Sequence, residues 1–221
     1  MLKINLVLLL LLGVFISGCA SKQPDYPVYI GEKINRIAIL PPQRIGEDKP
    51  GTITCTLSEK DFDADVTTKD QGRIINDMLL KALKDDKRFF EVSDSRCYSY
   101  FGSIIRENVK STHLRIIQEM GKELNAEAVL YTRLFRFVER EGGSYGANKP
   151  ASVALSIHLI RVSDGSILWR YTFDETQKAL TDNILDLDLY RKAGFKWLSA
   201  TELAAYGIAN SVDNLNRFLP K

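Results

Sequence analysis

Histidine and cysteine are scarce in this 221-residue chain: His113 and His158, and Cys19, Cys55 and Cys97. Those few residues show no spacing suited to a zinc site, which takes closely spaced cysteine and histidine pairs. There is no phosphate-binding Walker loop, no dinucleotide fingerprint and no calcium loop. The letters G-x-S-x-G of the α/β-hydrolase serine elbow occur once, at Gly142 to Gly146, but in a turn that no helix start follows, so the strand-to-helix elbow is missing. Neither charge dominates, with 30 lysines and arginines against 28 acids. A nucleic-acid binder would show a basic excess, so that class is set aside. No apolar run approaches the roughly 20 residues of a membrane-spanning helix. Repeats and low-complexity tracts are likewise lacking beyond the first residues.

What is present starts at the N-terminus. Lys3 precedes the apolar stretch from Leu6 to Ile16, too short to span a bilayer. A basic start, a short apolar middle and small residues before a cut describe an export signal. Ile16-Ser17-Gly18-Cys19 resembles the lipobox of bacterial lipoproteins. The resemblance implies cleavage before Cys19 and acylation of its thiol and amine. One acyl chain binds a membrane marginally, and two or more hold it stably. Ala20 follows the cysteine rather than an aspartate that would retain the protein at the inner membrane. The implied location is therefore the outer membrane, facing the periplasm. Residues 19–33, with Pro24 and Pro27, read as an extended tether. Residues 34–221 read as one periplasmic domain, long enough to bury a core.

An exported chain meets an oxidising compartment, so Cys55 and Cys97 form a candidate disulfide. A loop of that size would be stabilised by roughly 4 kcal/mol in the chain-entropy view. Two free or buried thiols are the alternative.

The periodicities of the rest predict an α/β (α+β) fold. Ile34 to Leu40 is an apolar first strand, buried on both faces and stopped by Pro41-Pro42. Gln43 to Thr68 reads as a long loop with a short hairpin around Thr52–Leu57. Asp70 to Lys87 carries apolar residues at helical spacing. Phe89 to Val92 is a second strand. Ser95 to Val109 reads as a loop, followed by a helix over Thr112–Leu124 whose buried stripe is Leu114, Ile117, Met120 and Leu124. Ser111 is placed to cap that helix, and Asn125 suits the left-handed residue that ends it. Three strands follow: Ala126–Glu139, Ala151–Val162 and Ile167–Asp174. Along the middle one, Val153, Leu155, Ile157 and Leu159 alternate with Ser152, Ala154, Ser156 and His158. Asp164-Gly165 marks the turn to the last strand, in which Ile167, Trp169, Tyr171 and Phe173 are expected to share a face. Leu180 to Lys192 has helical character. Ser199-Ala200-Thr201-Glu202 matches a capping box opening a final helix to about Leu219. The expected architecture is a mixed sheet of about five strands in β-α-β-α-β-β-β-α order, with helices packed on it.

That order resembles the periplasmic α/β domain shared by TolB amino-terminal domains, curli-secretion-channel lipoproteins and lipoprotein activators of penicillin-binding proteins. The residues that carry the resemblance are Ile37-Ala38-Ile39-Leu40-Pro41-Pro42, the helix-to-strand run from Gly121 to Leu130, and the hairpin from Leu159 to Trp169. These are structural signals, so they imply a fold far more than an activity. The curli channel needs two long amphipathic hairpins per subunit, and the turns at Glu141–Ala147 and Asp164-Gly165 are short. A pore is not expected.

Ser156 and His158, two apart on one strand, are the candidates for hydrolase chemistry, but their side chains are expected to point in parallel. Asp182, Asp186 and Asp188 lack the glycine and terminal glutamate of a calcium site. No cofactor and no metal are expected. Tyr98, Tyr100 and Phe101 in one segment, and Phe195 and Trp197 in another, are candidate partner contacts, because aromatics dominate interface hot spots. The sequence reading is a non-enzymatic, lipid-anchored adaptor that activates or assembles another envelope protein. The alternatives are an oligomeric subunit of an outer-membrane apparatus and a hydrolase using His158.

Overall fold

The computed structural model describes residues 29, 31, 33–46, 51–97, 99, 113–178 and 196–219. Their centre is a six-stranded mixed sheet. Strand β1 (Ile37–Ile39) lies between β5 (Phe89–Glu91) and β6 (Ala128–Val138), parallel to both. The long strands β9 (Ser152–Arg161) and β10 (Ile167–Thr176) continue from β6 as an antiparallel meander. The order across the sheet is β10-β9-β6-β1-β5, with the two-residue β2 (Gln43–Arg44) beside β6.

β1 is short and wholly buried because its residues feed two cores. Ile37 and Ile39 face one apolar cluster, Ala38 and Leu40 the other. β9 does the same over its length: Val153, Leu155, Ile157 and Leu159 face the first cluster, and Ala154 and Ile160 the second. Its alternation is therefore not inside against outside, but one core against another.

Helices α1 (Lys69–Leu83) and α3 (Ala200–Phe218) cover the first face. Thr68 caps α1 and shares a reciprocal capping box with Gln71. The expected capping box at Ser199 and Glu202 opens α3. Leu203, Ile208, Val212, Leu215 and Phe218 are buried beneath it as the spacing implies, with Tyr206 half-buried. Helix α2 (His113–Glu123) covers the second face through Ile116, Ile117 and Met120, with Leu124 just beyond its end. Leu114, expected in that stripe, is only half-buried. Asn125 adopts the left-handed conformation (φ 51°) that ends the helix.

The short hairpin expected around Thr52–Leu57 within the 43–68 loop is present but longer, β3 (Gly51–Cys55) with β4 (Lys60–Ala64), and it is packed rather than displayed. Cys55, Leu57, Phe62 and Ala64 are buried in the second core. A smaller hairpin, β7 (Glu141–Gly143) with β8 (Gly146–Lys149), extends the ends of β6 and β9.

Two β-bulges depart from the periodic pattern. The first falls between Leu134 and Arg136. The extra residue lets Phe135 and Arg136 both face the β3–β4 hairpin. Phe135 stacks flat on Phe62 with centroids 4.0 Å apart, and its carbonyl accepts from Asp65. The second falls between Ile167 and Trp169. It turns Ile167 to the hairpin face while Trp169 and Phe173 join the other core, so the four residues expected on one face are split. No described helix is long and apolar enough to cross a membrane.

Candidate functional site

Below the β3–β4 hairpin lies a group of polar side chains. Tyr131 and Arg133 on β6, and Ser156 and His158 on β9, point to this face, since register pairs Tyr131 with His158 and Arg133 with Ser156. Ser156 Oγ and His158 Nε2 are 2.9 Å apart, and both residues are fully buried. The two side chains point to the same face, as the alternation implies, and they also meet. Alternate residues on one face of a strand stand about 6.6 Å apart along the backbone, a gap that an imidazole reaching back can close.

Cys55 and Ser58 complete the group from the hairpin. Burial pushes the Cys55 thiol up, but the His158 ring and Ser58 beside it outweigh this and bring the thiol down to about 6. Nδ1 of His158 and Oγ of Ser58 are buried without a hydrogen-bond partner. Tyr131 donates its hydroxyl proton to Gln43 Oε1, and burial holds its ionisation well above the usual range. Cys97, in the same apolar cluster as Cys55, is pushed up to about 11 by burial and by Asp94. Cys55 and Cys97, the candidate disulfide, are free thiols here.

A thiol of lowered pKa beside an imidazole, itself bonded to a serine, is the arrangement of an activated nucleophile. Here it is closed to substrate. Cys55, Ser156 and His158 have no exposed surface, and the hairpin is fastened over them. Arg136 does much of that fastening. Its guanidinium donates to the Asp63 carbonyl on the hairpin, to Ser152 Oγ on β9 (2.6 Å) and to Asp174 on β10 (2.5 Å).

The open concavities lie elsewhere. One, of about 380 Å³, sits at the carboxyl ends of β1 and β5. The chain leaving β1 reaches α1 on one sheet face, and the chain leaving β5 reaches α2 on the other. Such a switch point leaves a crevice in open α/β sheets. Arg44, Lys69 and Arg73 bring positive charge to it, and Asp77, Glu91 and Asp94 negative charge. Gly72 leaves room there for Arg44: a β-carbon would stand 2.7 Å from Arg44 Cδ and make that side chain shift. Arg44 in turn donates to the Thr67 carbonyl. Asn76 donates to Glu91 at 3.4 Å and keeps a buried Oδ1 without a partner.

Among the expected contact aromatics, Trp197 is half-buried. Its backbone holds the small β7–β8 hairpin by donating to Ser144 and accepting from Arg140. Tyr98, Tyr100, Phe101, Phe195, Ser111, the acids Asp182, Asp186 and Asp188, and Cys19 lie outside the described residues. Among the described residues no three histidines, cysteines or acids could jointly hold a metal ion. Sequence reasoning missed Cys55 as a partner of His158. The signal was faint: a lone cysteine followed three residues later by serine in a polar stretch. It also missed Arg136, whose role depends on the bulge before it.

No family model matches the sequence, and no curated protein matches it. Among solved structures, the chain is similar in layout to a PelC dodecamer from Paraburkholderia phytofirmans at 14% identity and TM-score 0.48, covering 86% of this chain and 92% of that one. It is also similar to the LpoB C-terminal domain from Salmonella enterica at 12% identity and TM-score 0.38, over 67% and 87% of the two chains. Lipoprotein GNA1162 from Neisseria meningitidis is similar at 13% identity and TM-score 0.34, over 72% and 93%. Likenesses at this level concern the arrangement of the chain alone.

Proposed function

We propose that this protein is a lipid-anchored binding or adaptor protein of a bacterial cell envelope, held at the outer membrane by acyl chains on Cys19 and acting on an envelope partner without catalysis. The observation that carries this reading is the lipobox-like Ile16-Ser17-Gly18-Cys19 directly behind a short apolar run. The geometry is compatible with it. The described group that most resembles reaction machinery, Cys55, Ser156 and His158, is sealed under a fastened hairpin. Among the described residues, the crevice at the carboxyl ends of β1 and β5 is open and of mixed charge, which suits recognition.

The test combines location and contact. Cells carrying the wild-type chain or Cys19→Ala are treated with a membrane-permeant crosslinker and fractionated. The expected result is membrane-bound wild type with a defined heterologous adduct, and release of the variant into the periplasm with loss of the adduct. Retention of Cys19→Ala on the membrane would overturn the anchor. Turnover of an ester or amide substrate that His158→Ala abolishes would overturn the non-catalytic role.

A further inference from the structure

β10 is the last strand of the sheet on its side, and no described residue pairs with its outer edge. It is ten residues long, whereas the opposite edge strand, β5, has three. A long edge presents a row of unpaired N–H and C=O groups, a template for another strand.

The ladder settles which groups face out. Gln177 donates to the Ala151 carbonyl at 3.1 Å, continuing the register that pairs Thr176 with Ser152. In an antiparallel pair, hydrogen-bonded positions alternate. The odd-numbered residues, Trp169 to Glu175, therefore bond inward to β9. Arg170, Thr172 and Asp174 turn their N–H and C=O groups away from it. Their side chains share the hairpin face, opposite His158, Ser156 and Ala154. Those of Arg170 and Asp174 are 47% and 38% exposed.

Reading outward, this edge is positive, neutral, negative at alternate positions. Reversed, it is negative, neutral, positive. A second β10 laid antiparallel about Thr172 would set Arg170 opposite the second copy's Asp174, twice over, with Thr172 opposite itself. The same register makes all three positions hydrogen-bonded pairs. Slipping by two residues loses both charge pairs, and slipping by four sets like charges together. Charge on an edge hinders pairing where it meets like charge; here the antiparallel register sets opposite charges together, so the edge is self-complementary. There is also room. A groove of about 500 Å³ runs along Ile167 to Thr172, bounded by Ser58 and Lys60 from the hairpin and by Asn214 and Phe218 from α3. Arg136 bonds Asp174 through Oδ1, leaving Oδ2 for an incoming guanidinium.

We propose that two copies of this chain pair through β10, antiparallel about a twofold axis at Thr172, joining two six-stranded sheets into one. The pairing stands independently of the adaptor role.

The test is the molar mass of the full chain in mild detergent, measured by light scattering after size separation over a range of concentrations. Wild type is expected to form a dimer. Arg170→Glu and Asp174→Lys, each of which sets like charges opposite twice, should weaken it by about tenfold or more. Mixing the two variants should restore association, because a mixed dimer has opposite charges at both positions. Thr172→Pro should also weaken the dimer. It removes an outward N–H that β9 does not use, and proline is tolerated on such an edge. A thermal melt confirms folding. Should Asp174→Lys fail to fold through loss of the Arg136 contact, Arg170→Glu and Thr172→Pro decide the matter. A wild type monomeric at every concentration would overturn the proposal. So would a dimer indifferent to these variants, or a mixture of the two folded charge variants that does not reassociate.

Discussion

His158 Nε2 lies 2.9 Å from Ser156 Oγ on β9, with both residues fully buried. A buried hydroxyl that loses its partner bears its full desolvation cost. His158→Ala removes the ring, leaves a cavity against Tyr131 and orphans Ser156. It should cost about 3 kcal/mol of unfolding free energy. Ser156→Ala should cost about 1 kcal/mol. Urea denaturation of the two variants measures both, and equal losses would show that the ring's packing contributes nothing of its own.

Cys55 makes stability depend on pH. Its thiol titrates at about 6 in the fold, against an ordinary value of 9.0. Between those values the unfolded chain holds a proton that the folded one has released, so stability rises with pH. The contribution is fully present above 9 and is lost as pH falls through 6. Cys97 acts in the opposite sense, being pushed up to about 11, and weakens the fold only above pH 9. With the thiols kept reduced, the urea midpoint of wild type relative to Cys55→Ala should climb from pH 6 to pH 9. A flat difference would show that the thiol is not ionised in the fold.

Gly207 lets α3 settle onto β10. A β-carbon there would stand 2.7 Å from the Phe173 ring. Alanine improves helix propensity by about 1 kcal/mol, but overpacking of this kind typically costs 1–3 kcal/mol. Gly207→Ala should therefore lower the melting temperature despite its better propensity. A raised melting temperature would show that the ring moves aside freely.

Arg136 links the hairpin to β9 and β10 through a planar fork. Arg136→Met keeps much of the stem and loses every bond, so the amides of residues 51–64 should exchange with solvent faster, by about tenfold or more. Arg136→Lys should recover little, since an ammonium cannot reach three acceptors in that geometry. Unchanged exchange in Arg136→Met would place the hold on the hairpin in the Phe62–Phe135 stack instead.

Local chemistry accounts for what was legible in the residues alone. Alternation along Ser152–Arg161 reports a strand because side chains on a pleated backbone point to opposite faces. Ser199 and Glu202 report a helix start because four N–H groups there need acceptors. Asn125 reports a helix end because it tolerates the left-handed conformation. Each signal acts within a few residues, and from them follow the order of elements, the mixed sheet and the faces of α3.

The contacts among distant residues were decided by tertiary structure. Nothing near Phe135 announces a bulge, yet the bulge aims Phe135 at Phe62 and Arg136 at Asp63. Residues 51–64 look like a polar excursion because alternate positions of the hairpin face water, while Cys55 and Phe62 face the sheet. Whether Cys55 meets His158 depends on where that hairpin lands, which is set by packing between segments about a hundred residues apart. The sequence by itself determined the main strands and helices, their order and the lipobox-like motif, because those rest on short-range sterics and hydrogen bonding. Only the tertiary structure decided that the polar group is sealed and that a ten-residue edge is left unpaired among the described residues, because burial and strand pairing are properties of the assembled sheet.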